Sequence, residues 1–311
     1  MSLPSPALSV PSLAVDQAYF QGVTFGANTA FEWTKLEGIG RPKVRTGNTP
    51  RPRTRGSFAG LNLLDTRTIT FTLDIGPPFT PYVTLAAAVA ALRAAASTEG
   101  TTEYPLWVQL PNTPLMAAMA RVIGFDPPYD FEADVGGTGM GLMRGVPIQF
   151  EVTDPYFYSA PTLSTSLALP SPGGGFSFPI TFPLSFGGGT GGNQATVTNS
   201  GDVTCWPVLV ITGPCLNPQI QNTSIDGNPL ISINQQLNTG DQLVIDCDQQ
   251  TIVYFPSGQS TGAAASQVLN AGSTFFGLVP GPNFLSFNSQ DVSPASGSLA
   301  VWNASAFDGL L

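Results

Sequence analysis

The sequence predicts a mainly β protein with a single helix, divided into two domains. The chain has 311 residues, which is enough for two domains of ordinary size. Glycine and proline contribute 34 and 29 residues, a content typical of a fold with many turns. Short segments in which every second residue is apolar recur along the chain, and this is the period of a strand with one buried face.

The N-terminal domain is expected over residues 1–155. Its clearest strand pattern is residues 67–75, where Ile69, Phe71 and Leu73 share one face. The same kind of pattern predicts further strands at residues 20–33, 106–110, 119–125 and 146–153. Together these strands predict a β-sandwich or split barrel.

One α-helix is expected to pack on this sheet. Leu85, Val89 and Leu92 recur at helical spacing within an alanine-rich stretch. Thr80 can cap the helix and Pro81 suits its first turn. The helix is therefore predicted to begin at residue 81.

Residues 156–193 are expected to form an extended linker rich in glycine, proline and phenylalanine. Within it, apolar side chains occupy every second position of one segment: Phe176, Phe178, Ile180, Phe182, Leu184 and Phe186. Prolines in this segment exclude a central strand position. We therefore expect an edge-type or extended strand that packs against a domain or between subunits.

The C-terminal domain is expected over residues 194–311. Short strand patterns follow one another at intervals of about ten residues, at residues 195–197, 206–211, 219–222, 243–246, 251–255, 273–278, 283–287 and 299–302. Turn pairs such as Asp226-Gly227 separate some of them. Eight strands of this kind predict a jelly-roll, galectin-like β-sandwich.

The charged residues divide the chain in two. All eleven lysines and arginines lie at or before Arg144, whereas residues 145–311 contain nine acids and no cation. Nucleic acid, phosphate and anionic membranes are bound mainly through lysine and arginine. The second half is therefore a poor candidate for any of these ligands. Only 10% of all residues are charged, which suits a chain that packs against copies of itself.

The sequence contains no histidine. Catalytic triads with a histidine base and zinc sites with imidazole ligands are therefore excluded. The three cysteines, Cys205, Cys215 and Cys247, have neither a disulfide pattern nor zinc-ligand spacing. No apolar run is long enough to span a bilayer, and the first residues lack the features of a secretory signal. We therefore expect no enzymatic activity, metal, cofactor or membrane anchor, and synthesis in a cytoplasm.

Six cations without an intervening acid form the most pronounced charge cluster: Arg41, Lys43, Arg45, Arg51, Arg53 and Arg55. They stand at odd positions on both sides of residues 46–50, so a hairpin turning there would show all six on one face. Such an arm either docks on acids of a neighbouring subunit, is solvated, or contacts DNA. The docking or solvated interpretation is favoured, because runs of like charge most often form solvated or docking faces.

Several short motifs resemble those of siphophage distal tail proteins, in particular the minor tail proteins of actinobacteriophages. In the C-terminal half they occur in the order that the family shows, at residues 199–202, 206–214, 217–222, 237–246, 278–287 and 298–302. In the N-terminal half the similar stretches are residues 31–33, 36–38, 41–57, 67–70 and 154–158. The resemblance covers most of the chain.

This resemblance implies a structural role in the virion. Distal tail proteins form a hexameric ring at the tail tip, with tube-like N-terminal domains around the DNA channel and galectin-like C-terminal domains pointing outward. The ring would join the tail tube protein to the tip hub and present attachment sites for tip or receptor-binding proteins, with DNA in the channel only transiently. The alternative is a carbohydrate-binding sandwich used in host adhesion, in which Trp206 or Trp302 could stack on a sugar.

Overall fold

The computed structural model describes residues 10–77, 81–82, 84–97, 100–128, 131–132, 141–160, 162–169, 193–290 and 296–310. These residues form two compact units. The N-terminal unit contains residues 10–160 and residues 307–310, and the C-terminal unit contains residues 162–306. Among the described helices, none is long and apolar enough to cross a membrane.

The N-terminal unit is built on one large antiparallel sheet. Its strands and helix are β1 (Gln17–Phe20), β2 (Val23–Gly26), β3 (Phe31–Glu37), β4 (Val44–Thr46), β5 (Thr49–Pro50), β6 (Ser57–Phe58), β7 (Asn62–Leu64), β8 (Arg67–Ile75), α1 (Leu85–Ala96), β9 (Tyr104–Gln109), β10 (Leu115–Phe125), β11 (Phe131–Glu132), β12 (Leu142–Val152) and β13 (Phe157–Ala160). The main path of the sheet runs β2-β1-β9-β10-β12-β8-β3. β11 pairs with β12, and β13 pairs with β10.

This sheet curls around an aromatic core. Phe25 contacts Phe71 edge to face at 4.9 Å between ring centroids, and Phe20 contacts Phe150 in the same way at 4.9 Å. The two edge strands approach each other through Phe25 of β2 and Trp33 of β3, whose centroids are 6.3 Å apart. β2 and β3 remain the two ends of the sheet path, so the barrel is open, as expected for a split barrel.

The helix α1 begins later than the sequence pattern predicts. Thr84, not Thr80, caps it: the Thr84 backbone is extended, and its hydroxyl oxygen accepts a hydrogen bond from the Ala87 backbone N–H at 3.2 Å. Thr80 lies outside the described residues, and Pro81 precedes the helix in a turn. The buried face of the helix, which includes Leu92, packs into the core of the N-terminal unit.

The C-terminal unit is a sandwich of two antiparallel sheets. Its strands are β14 (Leu163–Ala168), β15 (Gln194–Asn199), β16 (Val208–Thr212), β17 (Cys215–Leu216), β18 (Gln219–Asn222), β19 (Leu230–Ser232), β20 (Gln236–Leu237), β21 (Gln242–Asp246), β22 (Thr251–Phe255), β23 (Ala263–Ala264), β24 (Gly281–Asn288) and β25 (Ser298–Asn303), with a 3₁₀ turn at Ser266–Val268. The last short strand, β26 (Ala306–Phe307), belongs to the large sheet of the N-terminal unit. One sheet has the order β14-β25-β16-β21-β22-β23 and the other β15-β24-β18-β19. Their inner faces carry the apolar core, which includes Leu209, Ile245 and Val301 of the first sheet and Val197 and Phe287 of the second.

These elements confirm the predicted fold class, a mainly β chain with one helix and a C-terminal sandwich. Three segments differ from the predicted strand pattern. Residues 20–33 are not one strand, because turns at residues 21–22 and 27–30 divide them among β1, β2 and β3. Residues 273–278 form no strand. Their described backbone pairing consists of isolated hydrogen bonds, such as that from Thr274 N–H to Leu230 O at 2.8 Å, and of one bridge between Cys205 and Leu278. Conversely, β13 and β14 occupy the start of residues 156–193, where an extended linker was expected, because Phe157 and Leu167 are buried in the cores of their units.

Candidate assembly surface

The most exposed part of the N-terminal unit is a long β-hairpin, residues 43–65, which we call the arm. β4 pairs with β7 near its base, and β5 pairs with β6 towards its tip. Every residue from 43 to 63 is exposed. A two-stranded hairpin without a core is marginally stable in water, so this arm is suited to pack against another surface.

The position of the turn corrects the sequence-based prediction. The turn was expected at residues 46–50, but these residues continue the outgoing strand, since the Gly47 N–H donates to Leu61 O at 3.1 Å. The chain reverses at residues 51–56 instead, where the Arg51 N–H donates to Gly56 O at 3.1 Å. The two sets of three cations therefore do not face each other across the hairpin.

The structure places the six cations of the predicted cluster in three different parts of the hairpin and its base. Lys43 and Arg45 alternate along the outgoing strand, and Arg45 lies opposite Leu63. Three more, Arg51, Arg53 and Arg55, lie in the turn at the tip. Arg41 lies at the base, where its Nε is 3.1 Å from Oδ2 of Asp308. The arm proper thus carries five exposed cations, and the sixth contributes to its attachment.

Apolar side chains accompany these cations. Phe58 is 57% exposed and Leu61 74% exposed, and Val44 and Leu63 are also exposed. The Arg51 guanidinium lies 5.0 Å above the ring of Phe58, in the range of a cation–π contact. A purely solvated hairpin gains nothing from such residues, whereas a docking surface combines aromatic, aliphatic and arginine side chains in this way.

Close packing of the backbone fixes one position in the arm. A Cβ atom added to Gly60 would lie 2.0 Å from the carbonyl oxygen of Gly47, so only glycine fits there. The Gly60 N–H also donates to Oδ1 of Asn48 at 3.0 Å. The two strands of the arm are thus held together midway between base and tip.

A buried arginine holds the base of the arm. Arg67, at the start of β8, is 3% exposed. Its Nη1 donates to the carbonyl oxygens of Gly38 (3.2 Å) and Gly40 (2.9 Å), just before the arm. Its Nε donates to Pro155 O at 2.9 Å, and its Nη2 donates to Asp308 O at 2.5 Å. One guanidinium therefore joins three separate segments of the N-terminal unit.

Phe157 completes this arrangement. The Arg67 guanidinium carbon lies 4.4 Å from the centroid of the Phe157 ring. Burial lowers the pKa of Arg67 to about 10, and the charge of Asp308 opposes that shift. Because a pKa of about 10 is well above neutral pH, the guanidinium stays charged and keeps all its donors. The residues around it, Arg41 and Lys43 among them, also line a cleft of about 720 Å³ at the base of the arm.

Sequence reasoning did not identify Arg67 as part of the candidate site. A signal for it exists in β8, where residues 69, 71, 73 and 75 are all fully buried. Arg67 continues the same alternation, so its side chain points to the inner face. A cation at an inner strand position must be hydrogen-bonded, and this requirement marks it as a structural centre.

The other predicted features have the following positions. The alternating set at Phe176, Phe178, Ile180, Phe182, Leu184 and Phe186 lies outside the described residues.

The three cysteines are buried and unbridged, and burial raises the pKa of Cys205 and Cys247 to about 12, which disfavours reactive thiolates. Within the described part of the chain, no group of three metal-ligating side chains is present.

Comparison with known proteins gives one family match. Residues 200–296, within the C-terminal unit, match the family model described as siphovirus-type tail component, C-terminal domain. A search of curated proteins finds no match to the sequence.

Solved structures extend the comparison to the whole chain. The crystal structure of SPP1 Dit, described as a paradigm of the hub adsorption apparatus in phages that infect Gram-positive bacteria, superposes with a TM-score of 0.59. Sequence identity is 14%, and the alignment covers 93% of this chain and 98% of that chain. The activated phage P2 baseplate with Ca aligns at a TM-score of 0.45 and 11% identity, over 92% of this chain and 97% of that chain.

These findings establish the fold. The chain has the fold of SPP1 Dit, since the alignment covers almost the full length of both chains. Its C-terminal unit contains the residues that match the siphovirus-type tail component model. The resemblance to siphophage distal tail proteins that the sequence motifs indicate is therefore confirmed.

Proposed function

We propose that this protein is a structural component of the siphophage tail tip, where six copies form a ring that joins the tail tube to the hub. In this proposal the N-terminal domains pack side by side around the DNA channel, and the C-terminal domains point outward and present attachment sites for tip or receptor-binding proteins. The protein has no catalytic role. It is assembled in the host cytoplasm and resides at the tail tip of the virion.

The observation that carries this proposal is the exposed arm. Its apolar residues, Phe58, Leu61 and Leu63 among them, cost free energy in water and are stabilised by packing against a neighbour. In a ring each copy uses one surface to contact the next copy and a different surface to accept the previous one. We propose that the arm is one of these two surfaces.

Docking on protein explains the arm better than contact with DNA. Phosphate contacts require cations alone, whereas here Arg45 lies opposite Leu63 and Arg51 lies over Phe58. Acids of a neighbouring copy are abundant partners, because residues 145–311 contain nine acids and no cation. The alternating Phe-rich segment within residues 156–193 is a second proposed packing element, on the evidence of its sequence pattern.

The mass of the purified full chain tests the ring. Six copies of a 32.5 kDa chain have a mass of about 195 kDa, which native mass spectrometry and particle images with six-fold symmetry can identify. Leu61→Ser together with Phe58→Ser on the arm is expected to shift the protein to the monomer. Val10→Ser, another exposed apolar residue, is the matched control and should leave the assembly intact.

Two outcomes contradict the proposal. One is a wild-type chain that stays monomeric in solution and is absent from purified virions probed with an antibody against the C-terminal domain. The other is an assembly that withstands the double substitution in the arm. Binding of duplex DNA by the isolated chain that weakens steeply with salt and is lost in Arg53→Ser/Arg55→Ser would assign the arm to DNA instead.

A further inference from the structure

The outer face of the four-stranded sheet has a composition that the proposed ring does not explain. In the order β15-β24-β18-β19, the inward side chains such as Val197, Leu285 and Ile220 are buried at 1% exposure or less. The alternate side chains point outward. At the centre of this outer face stands Phe284, which is 54% exposed.

The neighbours of Phe284 are amides and hydroxyls. Thr196 of β15 lies directly opposite it on one side, and Thr223, just beyond β18, lies on the other, with its N–H donating to Phe284 O at 3.0 Å. Two residues along β24, Ser286 lies between Gln194 and Gln221. Among the strand residues described for this face, none is charged.

Hydrogen bonds fix the backbone at Phe284. The Phe284 N–H donates to the Ser224 hydroxyl oxygen at 2.7 Å, and the hydroxyl of Thr223 donates to Phe284 O at 3.2 Å. The amide of Gln221 is oriented in turn, since its Nε2 donates to Asn228 O at 3.3 Å. An aromatic ring and a hydrogen-bonded amide therefore lie in adjacent rows of one sheet, an arrangement that positions both groups for a ligand.

The charge and polarity of this face restrict its ligand. Residues 145–311 contain no lysine or arginine, so a phosphate, a sulfate or an anionic polymer would find no counter-charge. A single aromatic ring offers too little apolar area for the core of a stable protein interface. Amides and hydroxyls both donate and accept hydrogen bonds, which matches the hydroxyl groups of a neutral sugar. The C–H face of a sugar ring is apolar and suits an exposed aromatic ring.

We propose that this face binds a neutral glycan, with a pyranose ring stacked on Phe284 and its hydroxyl groups hydrogen-bonded to Gln194, Gln221 and the adjacent threonines. This activity is additional to the structural role proposed above and does not depend on it. It would provide the protein with a direct contact to uncharged cell-surface polysaccharide.

Saturation-transfer NMR on the full chain tests this proposal and works equally for a monomer or a ring. The probes are galactose, glucose, N-acetylglucosamine and rhamnose, with glucuronate as the charged control. At least one neutral sugar is expected to receive saturation at its C–H protons, and glucuronate none. Phe284→Ala should lower the affinity for that sugar about tenfold, whereas Phe284→Tyr should retain it. Trp206→Ala removes another exposed aromatic side chain of the same unit and should have no effect.

Three outcomes overturn the proposal. The first is the absence of saturation transfer to all four neutral sugars. The second is a signal that survives Phe284→Ala, or that disappears in Trp206→Ala instead. The third is a change in the mass of the assembly in Phe284→Ala, which would show that a second copy covers this face. Loss of sugar binding with an unchanged assembly mass separates this site from the proposed ring contacts.

Discussion

The two units connect distant segments of chain with different buried polar groups. In the N-terminal unit, the charged Arg67 donates to four carbonyl oxygens from three segments. The C-terminal unit has no cation and uses small side chains instead. Asn283, for example, donates to Val279 O and Gly281 O and accepts from the Val279 N–H.

The two kinds of side chain differ in how many chain segments one residue can join and in the free energy that its burial costs. A guanidinium has five donors on a long stem, so one residue can join segments that are far apart in sequence, at the cost of burying a charge. An amide has two donors and one acceptor group, so each one joins fewer groups: Asn283 closes a local turn and also accepts from Asn222 Nδ2 at 3.4 Å, and Asn199 Nδ2 donates to Leu278 O at 2.9 Å. The N-terminal unit therefore concentrates its connections in one residue, whereas the C-terminal unit distributes them.

Arg67→Met should have the largest effect. It would leave the carbonyl groups of Gly38, Gly40, Pro155 and Asp308 without their donor, and we expect a loss of about 4 kcal/mol of stability in the N-terminal unit. Hydrogen exchange of peptides from each unit in a urea series measures this loss separately for the two units. Arg45→Met on the exposed arm is the control, with an expected change below about 0.5 kcal/mol. Equal effects of the two substitutions would contradict the role of Arg67.

Asn283→Ala should have an intermediate effect that is confined to the C-terminal unit. Asn283 is fully buried, and its removal leaves the Val279 N–H and two carbonyl groups without partners, at a cost of about 2 kcal/mol. The same exchange experiment should show faster exchange around residues 279–283 and no change in the N-terminal unit. A loss as large as that of Arg67→Met would show that the C-terminal unit also depends on a single residue.

Asp241 should make the stability of the C-terminal unit depend on pH. Its carboxylate accepts hydrogen bonds from the backbone N–H groups of Asn238 and Ser257 and from the Tyr254 hydroxyl. These bonds, above all that from Asn238, lower the pKa of Asp241 despite burial. Because the folded-state pKa lies below the unfolded value of about 3.8, the stabilisation is complete above that value and is lost as pH falls towards the folded pKa.

The variant Asp241→Asn isolates this contribution. At pH 6 it should be less stable than the wild type by about 1 kcal/mol, and the difference should shrink as pH falls below about 4. Unfolding midpoints of both proteins in urea between pH 3 and 6 test this. A difference that stays constant over that range would mean that the charge of Asp241 contributes nothing.

Trypsin should reveal the contrast between the units without affecting their stability. The arm presents exposed cleavage sites after Lys43, Arg45, Arg53 and Arg55, while residues 145–311 contain no site at all. We expect the first cuts within the arm, followed by a C-terminal fragment that persists. Electrophoresis and intact mass of the fragments over a time course measure this. Early cleavage at Arg121 or Arg144 in preference to the arm would contradict the exposed hairpin.

Local sequence patterns predicted much of the fold. The alternation in β8 and β12 identified central strands, because their inner side chains are almost all apolar. The same reasoning placed α1 correctly but not its start, since both Thr80 and Thr84 suit an N-cap and only tertiary packing selects between them. Predicting the strand at residues 273–278 failed for a related reason, because an apolar alternation can also line a core without a ladder partner.

The candidate site was predicted only in part. Charge spacing identified the arm residues, but two turns fit the sequence, one at residues 46–50 and one at residues 51–56. The structure selects the second, since Gly60 can approach Gly47 closely only in that register. The Arg67 centre depends on contacts across 241 positions of sequence, which no local pattern contains. The amide-rich face around Phe284 likewise exists only once β15, β24 and β18 are side by side.

Residues 307–310 belong to the N-terminal unit, although they are synthesised after the C-terminal unit. The N-terminal unit is therefore completed last. The Leu310 N–H donates to Ile39 O at 2.8 Å, and Asp308 supplies both a carbonyl oxygen for Arg67 and a carboxylate for Arg41. These residues leave the ribosome roughly 150 positions after β13, a delay of about 8 to 30 s at ordinary elongation rates. Until then the base of the arm lacks the contacts that Asp308 and Leu310 make. A nascent chain therefore cannot complete the attachment of its arm before the whole C-terminal sandwich has been made.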